Sequence, residues 1–498
     1  MSKIISHAKI DYTAKRNAFQ YQNEAFVAVK DLPYSAIFHE QGLGKTKIAI
    51  DLTLYWLTKK DIDTVLIVTK KQLVKNWIDE FDNHTFIKPK TLSNNKYDNY
   101  FVLNSATKVI ITNFETLVTD KERVILFLKC RNVAIIIDES TKLKNPDSGL
   151  TQTFFELSDL FKIRTIMTGT PVANRPYDIW AQIYFLDKGK SLGTNFIEFK
   201  KKTNLSNKLG KDDLAKDNFE DAVANIFRKI KDFCVRETKK SCNITLPSKE
   251  YKTVYASFSP KQVFMYLNIL RDLEIEIQQN GNAILENEEA VLKRLIRLNQ
   301  VVSNPHLIDE SYKEKSGKEY KLDELLEEIN SREEKTIVWT NFIDNVETFG
   351  KKYIHYKPRK IHGSMSISER NKSVDIFKKD PECKVLFATP QAAKEGLTLT
   401  VANHVIFYDR GFNLDDYLQA QDRIHRISQT KTCYIYNIMI PHSIDDWINS
   451  LLEAKQSAAF LAQGDINLEN YKKIADYSYG NIIKEILEAG EENNYGIN

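Results

Sequence analysis

Short apolar runs, arranged in two groups along the chain, limit the possible fold more than any other feature of this sequence. Each run has the length and residue types of a buried strand, and helix-like periodic stretches such as 71–84 and 368–379 follow. Alternation of buried strands with amphipathic helices is typical of parallel α/β sheets. The first group comprises residues 64–69, 109–112, 133–138 and 164–170, and the second comprises 335–340, 384–389, 404–409 and 433–439. The pattern therefore predicts two α/β lobes.

The segment between the two groups has a different character, because charged helical patterns replace the strand-like runs. Stretches 219–233 and 288–302 have the periodicity of amphipathic helices. Proline and glycine are sparse and scattered, which favours structured elements over a flexible linker between the lobes. We therefore predict domains at residues 1–186, 187–320, 321–442 and 443–498, of which the first and third are the α/β lobes.

The apolar residues are distributed in a way that argues against a membrane or secreted protein. No stretch approaches the ~18–20 uninterrupted apolar residues that a membrane span needs. The first 17 residues lack the apolar core of a signal peptide, and the five cysteines include no C-x-x-C pair. We therefore expect an intracellular protein with reduced thiols and without a zinc site.

The charge of the chain is uneven. The net charge is only +4, but residues 187–250 carry 15 Lys/Arg against 10 Asp/Glu. That segment includes the run Lys200-Lys201-Lys202. A solvated face and a nucleic-acid surface both explain such an excess, and the sequence leaves the two interpretations open.

A phosphate-binding loop is indicated by the stretch 39–50, HEQGLGKTKIAI. An apolar run at 35–38 precedes it and a helical pattern follows, which is the strand–loop–helix context that such a loop requires. Lys45 is expected to reach the β- and γ-phosphates, and the Thr46 hydroxyl to ligate Mg²⁺. His39 stands where the usual motif has its first glycine. The backbone that would close around the phosphates belongs to Gly42, Leu43 and Gly44.

A pair of acidic residues supplies the second half of the predicted catalytic site. Asp138 and Glu139 follow the apolar run 133–137, so they are expected at the end of a buried strand. Asp138 would orient Mg²⁺ through its water shell, and Glu139 would polarise the attacking water. Together with the phosphate-binding loop, this pair predicts ATP hydrolysis.

Further motifs follow one another in a characteristic order. The first half of the chain has them at 19–25, 65–81, 111–117, 138–145 and 167–180, and the second half at 337–342, 361–378, 389–409 and 419–439. In wording and order they resemble the Swi/Snf-like branch of superfamily 2 DNA helicases and translocases. The likeness extends from about Phe19 to Leu461, and it is closest to compact phage, viral or bacterial members.

The resemblance implies an α/β fold of two RecA-like parallel-sheet lobes, with helical insertions between them and C-terminal brace helices. Residues 246–270 and 298–308 are similar to the family's insertions, and 443–461 to its brace helices. It also implies that Gln22 reads the adenine edge with Tyr21 beside it, and that Gly396 belongs to the nucleotide site. Thr141 stands where the family has a histidine.

In the second lobe, the resemblance is most specific at residues 419–439. Gln419, Arg423 and Arg426 have the Gln-x-x-x-Arg-x-x-Arg spacing of the family's last motif. If this segment is helical, the two arginines lie on one helix face and could act as arginine fingers for the γ-phosphate.

The resemblance further implies contacts with nucleic acid, mostly to phosphates and therefore tolerant of sequence and dependent on salt. The residues implied are Lys70, Lys71, Thr112, Asn113, Ser364 and Thr398.

We accordingly expect an ATP- and Mg²⁺-dependent motor that moves along DNA and unwinds or remodels forked or branched DNA, alongside replication, recombination or repair proteins. A translocase that moves on duplex DNA without separating strands, as part of a defence or remodelling complex, is the first alternative. An RNA helicase and a non-catalytic nucleic-acid scaffold are the others.

Overall fold

The computed structural model describes residues 10–210, 212–242, 246–280, 288–394, 397–426 and 428–477. These residues form two compact units, and each unit contains one parallel β-sheet. The described residues within 1–204, 218–245 and 459–469 form the first unit, and those within 205–217, 246–458 and 470–498 form the second. The predicted α/β class with two parallel-sheet lobes is confirmed.

The first unit contains a seven-stranded sheet in which every described strand pairing is parallel. Its strands are β1 (Tyr34–Ile37), β2 (Thr64–Thr69), β3 (Lys90–Thr91), β4 (Val109–Asn113), β5 (Val133–Asp138), β6 (Ile163–Met167) and β7 (Cys234–Val235). Their order in the sheet is β3-β4-β2-β5-β6-β1-β7. Strands β2, β4 and β5 are buried along their whole length because neighbouring strands flank them and helices cover the sheet.

Helices connect these strands, as parallel pairing requires. They are α1 (Gln20–Val29), α2 (Lys45–Lys59), α3 (Val74–His84), α4 (Lys96–Asn104), α5 (Phe114–Thr119), α6 (Lys121–Cys130), α7 (Gly149–Leu157), α8 (Trp180–Asp187) and α9 (Phe196–Thr203). Helix α10 (Asp213–Ile230) follows them and leads into β7.

The second unit contains a six-stranded sheet whose described pairings are also all parallel. Its strands are β8 (Lys249–Tyr255), β9 (Thr336–Trp339), β10 (Arg359–Ile361), β11 (Val385–Ala388), β12 (His404–Phe407) and β13 (Cys433–Met439), in the order β10-β11-β9-β12-β13-β8. Its helices are α11 (Pro260–Asn280), α12 (Glu288–Ser303), α13 (Gly317–Ser331), α14 (Ile343–Lys352), α15 (Ile367–Lys379) and α16 (Leu414–Gln421). The last two helices, α17 (Ile444–Ala462) and α18 (Leu468–Ile474), belong to this unit except for their residues within 459–469.

The side chains of the second sheet alternate between two hydrophobic clusters, because successive residues of a strand point to opposite faces. In β9, Val338 belongs to the cluster formed with α11, α12 and α13. Ile337 and Trp339 belong to the other cluster, with Val374 and Phe377 of α15. Both faces of this sheet are therefore covered.

The predicted middle segment, 187–320, does not form a body of its own. It contributes helices, but also β7 to the first sheet and β8 to the second. Sequence periodicity misses β7 because it has two residues, and it misses β8 because the run KEYKTVY is polar and largely exposed at the sheet edge. Within the part of the chain that the structure describes, no helix has both the length and the apolar composition of a membrane span.

Candidate functional site

Three loops of the first unit meet at the carboxyl edge of its sheet. They follow β1, β6 and β5, which are consecutive neighbours in the sheet order. Ligands of open α/β sheets bind at this edge because helix N-termini and loop residues converge there. The predicted phosphate loop, the turn after β6 and the predicted acidic pair thus lie together.

The phosphate loop has the backbone conformation that its glycines allow. Gly42 and Gly44 have φ angles of 88° and 68°, in the left-handed region that other residues rarely adopt. A Cβ on Gly44 would also collide with the side-chain amide of Gln22. Helix α2 begins at the next residue, Lys45, so its free N–H groups face the loop as an anion site.

Lys45 connects the three loops. Its Nζ donates hydrogen bonds to the carbonyl oxygens of His39 at 2.9 Å and Glu40 at 3.3 Å. A Cβ placed on Gly169, in the turn after β6, would lie 3.3 Å from the same Nζ. Burial lowers the pKa of Lys45, while the charges of Glu139 and Asp138 act in the opposite direction. The ammonium therefore lies between the phosphate loop and the acidic pair.

Asp138 is buried at the end of β5 and is held by three donors. Its Oδ2 accepts hydrogen bonds from Trp77 Nε1 at 2.9 Å and Thr69 Oγ1 at 3.2 Å, and its Oδ1 accepts one from the Glu139 amide at 2.9 Å. Burial and then the neighbouring Glu139 raise the pKa of Asp138 to about 6, although the bonds from Trp77 and Thr69 oppose this shift. The carboxylate is thus fixed in position while its proton affinity is raised.

Glu139 has a left-handed backbone conformation, with φ 55° and ψ 48°. Non-glycine residues in this conformation are uncommon and tend to occur at functional sites. The Oε2 of Glu139 lies 3.5 Å from Nζ of Lys70, which follows β2. Both side chains are about one-fifth exposed.

A buried link joins the acidic loop to the turn after β6. Ser140 Oγ donates to Gln182 Oε1 at 2.7 Å, and Gln182 Nε2 donates to the Pro171 carbonyl at 2.8 Å. Thr141, which replaces the family's histidine, is therefore not needed for this connection. Neither Ser140 nor Gln182 is recognisable from the sequence as a functional residue.

The chain after β7 also contacts the phosphate loop, which the sequence does not predict. Arg236 donates through Nε and Nη2 to both carboxylate oxygens of Asp465 at 2.6 and 2.5 Å, and through Nη1 to the Phe38 carbonyl at 2.5 Å. Lys239 Nζ pairs with Glu40 at 3.1 Å, and its Cε lies 3.8 Å from where a Cβ of Gly42 would be. Lys239 is thus a second lysine beside the loop.

The predicted adenine-reading residues lie on α1. Gln22 is buried, and its amide is engaged within the protein: Oε1 accepts from the Phe19 amide at 2.9 Å, and Nε2 donates to the Leu43 carbonyl at 3.2 Å. Tyr21 is half-buried, and its ring centroid lies 6.5 Å from that of His39. Burial, followed by the charge of Lys45, lowers the pKa of His39 to about 4. The structure therefore shows Gln22 bracing the phosphate loop.

The predicted nucleic-acid contacts of the first unit differ in accessibility. Lys71 is exposed and Lys70 is half-buried. Thr112 is fully buried in β4, and Asn113 is buried with its side chain capping α5 through the Thr116 amide at 2.9 Å. Only the two lysines thus present side chains that an incoming phosphate could reach without a rearrangement.

In the second unit, Arg423 and Arg426 do not lie on a helix because α16 ends at Gln421, so the condition for a shared helix face is not met. The Arg423 carbonyl accepts from the Leu399 amide at 2.9 Å, so a tertiary hydrogen bond takes the place of the next helical one. Buried Arg423 contacts Gln419 Oε1 and the Leu397 carbonyl, each at 3.4 Å.

Arg426 donates from Nη1 to Thr398 Oγ1 at 2.6 Å, which brings a predicted phosphate contact and a predicted arginine finger together. Burial lowers the pKa of Arg426. Ser364 is exposed, after β10. Gly396 lies outside the described residues.

The first unit offers a donor set that fits a magnesium nucleotide. The Thr46 hydroxyl and the Asp138 carboxylate are oxygen ligands of the kind that Mg²⁺ prefers, and Mg²⁺ commonly retains several waters. The oriented carboxylate of Asp138 suits contact through such a water. Two carbonyl oxygens already accept hydrogen bonds from the Lys45 ammonium, as phosphate oxygens would.

Two protein families match the chain. The SNF2-related domain matches residues 33–307, and the helicase conserved C-terminal domain matches residues 318–428. The first match alone covers more than half of the 498 residues.

Several curated proteins are similar to most of the chain. An uncharacterized ATP-dependent helicase of Mycoplasma genitalium is 26% identical over 461 residues, which cover 90% of this chain and 42% of that protein. The putative ATP-dependent helicase/translocase YwqA of Bacillus subtilis is 26% identical over 438 residues, 84% of this chain and 45% of that protein. The chain thus spans less than half the length of either relative.

Among solved structures, the SWI2/SNF2 ATPase core of Sulfolobus solfataricus in complex with dsDNA aligns with 93% of this chain and 98% of that chain. The sequence identity is 23% and the TM-score is 0.42.

Proposed function

Because the chain belongs to the SNF2-related family, we propose that it is a DNA-dependent ATPase that translocates along DNA. The main support from the geometry is the convergence of Lys45 with Asp138 and Glu139 at one sheet edge. In the proposed reaction, water attacks the γ-phosphorus while the bond to the bridging oxygen breaks, and Glu139 takes the proton from water. ADP is the leaving group.

The residues around the loop have separate roles in this proposal. Lys45 and the α2 N-terminus bind the phosphates. Thr46 and Asp138 would hold Mg²⁺, which when bound neutralises negative charge on the phosphates. The link from Ser140 through Gln182 to Pro171 connects the acidic loop with the turn after β6. This link provides a packed path by which nucleotide binding could move that turn.

The proposed roles of the second unit depend on the family resemblance. Gln419, Arg423 and Arg426 are proposed to act in ATP hydrolysis, with the two arginines stabilising charge on the γ-phosphate. Thr398 and Ser364 are proposed to contact the DNA backbone, as are Lys70 and Lys71. Thr112 and Asn113 are proposed to do so after a rearrangement, because both are buried.

The finer proposal is that the protein unwinds or remodels forked or branched DNA in replication, recombination or repair. The relatives also include the transcription regulatory protein SNF2 of Saccharomyces cerevisiae, 26% identical over 435 residues, which are 82% of this chain and 25% of that protein. Translocation on duplex DNA without strand separation is the second candidate, because the name of YwqA includes both helicase and translocase.

The test is ATP hydrolysis by the wild type and Glu139→Gln, alone and with single-stranded DNA, duplex DNA, forked DNA or RNA. Stimulation of the wild type by duplex or forked DNA, abolished in Glu139→Gln, supports the proposal. Glu122→Gln, which changes an exposed carboxylate of α6, is the matched control. No stimulation by any nucleic acid would reject the motor, and stimulation by RNA alone would favour the RNA helicase.

Strand displacement on the forked substrate then separates the two candidates, because only a helicase releases the labelled strand.

A separate variant, with Lys200, Lys201 and Lys202 changed to Gln, tests the basic segment. If these side chains face DNA, the salt dependence of binding becomes less steep. An unchanged slope would assign them to a solvated face.

A further inference from the structure

Lys70 and Glu139 are paired by the architecture of the first sheet. Strands β2 and β5 are direct neighbours, and their register aligns Val68 with Ile137. Lys70 and Glu139 are the first residues after these two strands, and their Nζ and Oε2 atoms lie 3.5 Å apart. The adjacent ends of two neighbouring strands therefore place the pair side by side.

Both members of this pair have a second role in the proposed function. Glu139 is the residue that would accept a proton from the attacking water. Lys70 lies beside exposed Lys71, at the loop that is proposed to contact DNA phosphates. The ammonium of Lys70 contacts the Oε2 atom of Glu139, and it thereby competes with the attacking water for that oxygen.

The exposure of the pair permits competition. Each side chain is about one-fifth exposed, so solvent and an incoming anion can approach the ammonium. The phosphates of a nucleic acid are numerous and closely spaced, and they attract lysine side chains strongly at moderate salt. A lysine has a flexible stem, which lets its ammonium move between two acceptors without a change in the backbone.

From this geometry we infer that Lys70 is a restraint on Glu139, which a DNA phosphate removes by drawing the ammonium away. ATP hydrolysis thereby depends on bound DNA. The inference rests on the proposed function, because it needs Glu139 as the base and DNA beside Lys70. Lys70 is then a positioning residue: it acts through Glu139 and does not touch the reacting atoms.

The test is steady-state ATP hydrolysis by the full chain carrying Lys70→Met, with and without saturating duplex DNA. The neutral side chain is expected to raise kcat without DNA by roughly fivefold, the amount that a partly exposed ion pair of about 1 kcal/mol would give. The rate with DNA should change less, so the stimulation factor falls. Lys70→Gln should behave like Lys70→Met. Lys70→Arg keeps the positive charge and should therefore keep the low kcat of the wild type without DNA.

Two measurements distinguish this inference from simpler roles. Lys75→Met, at an exposed position of α3 in the next turn, is expected to keep the wild-type rate without DNA. DNA affinity is measured by fluorescence anisotropy without ATP. This measurement distinguishes a variant that binds DNA more weakly from one in which Glu139 is no longer held by Lys70.

A lower DNA-free rate in both Lys70→Met and Lys70→Gln would overturn the inference and make Lys70 a residue that holds Glu139 in its productive position. An unchanged DNA-free rate with weaker DNA binding would also overturn it and leave Lys70 as a DNA contact only. A wild type that hydrolyses no ATP with any nucleic acid would reject the proposed function itself. If DNA stimulates the wild type normally but the Lys70 variants give either of the first two results, the inference fails while the proposed function stands.

Discussion

The indole of Trp77 donates a hydrogen bond to Asp138 across 2.9 Å, although 61 positions separate the two residues in the sequence. Trp77 is buried on α3, which packs beside β2 and β5. Trp77 is part of a buried hydrophobic cluster. Its polar edge, however, orients the carboxylate that is proposed to hold magnesium.

Trp77→Phe is expected to make hydrolysis more sensitive to acid. The lost bond normally lowers the pKa of Asp138, so its removal raises a pKa that is already about 6. Asp138 then protonates at higher pH, and the acid limb of the kcat/KM profile moves up by about one unit. The Mg²⁺ concentration for half-maximal activity rises most below pH 7. Trp56→Phe is the control, because its buried indole donates to the Lys30 carbonyl, away from Asp138. Equal profiles for the two variants would contradict this prediction.

Gly44→Ala is expected to abolish measurable nucleotide binding while the rest of the lobe folds. The new Cβ both strains the left-handed backbone and collides with the amide of Gln22. The double variant Gln22→Ala/Gly44→Ala removes the collision but leaves the strain, so binding should return only in part. The measurement is titration with a fluorescent ATP analogue. Gly149→Ala is the control, since nothing lies within 4 Å of its added Cβ. Full recovery in the double variant would mean that backbone strain is unimportant.

Lys239→Met is expected to raise the KM for ATP about three- to tenfold, the size of a lost charge-assisted contact of roughly 1 kcal/mol. The reason is that its ammonium lies beside the phosphate loop, paired with Glu40, and is expected to exchange Glu40 for a phosphate when nucleotide binds. Lys240→Met removes an exposed charge from the next residue and should leave this KM unchanged. A similar KM in both variants would assign Lys239 to the Glu40 pair alone.

Asp465→Asn is expected to destabilise the first unit by about 2–4 kcal/mol, because the largely buried Arg236 loses its counter-charge and one of the two oxygens that accept its hydrogen bonds. Hydrogen exchange would report the loss as faster exchange in β1 and β7. Glu328→Gln, in an ion pair that is about half exposed, should cost only a few tenths of a kcal/mol. No difference between the two variants would show that the Arg236 pair is mainly a surface contact.

The location of the proposed catalytic residues at one sheet edge was predictable because the information about it is local. Lys45 follows a short strand and begins a helix, and Asp138 ends a continuous apolar run. Each pattern fits within a dozen residues, and parallel strands bring their carboxyl ends to the same edge. The fold class follows from the same runs.

Residues that act through distant contacts could not be identified in this way. Gln182, Arg236 and Lys239 have ordinary sequence surroundings, and their partners lie 42, 229 and 199 positions away. The sequence left open whether the segment of Arg423 and Arg426 is helical. In the structure α16 ends at Gln421, and the Arg423 carbonyl accepts from the distant Leu399 amide. Gln22 fits the resemblance in position, yet its amide is engaged with Phe19 and Leu43.

The edge position of β8 has a consequence for biosynthesis. Its neighbour in the sheet is β13, and the paired residues Lys249 and Cys433 are 184 positions apart (433 − 249). A ribosome that makes about 5–20 residues per second therefore exposes β8 for roughly 10–40 seconds before its partner emerges. During this time β8 is unpaired, but it carries the charged residues Lys249, Glu250 and Lys252. Charged strand edges resist pairing with other chains. The polar character that hides β8 from sequence periodicity thus protects the nascent chain from aggregation.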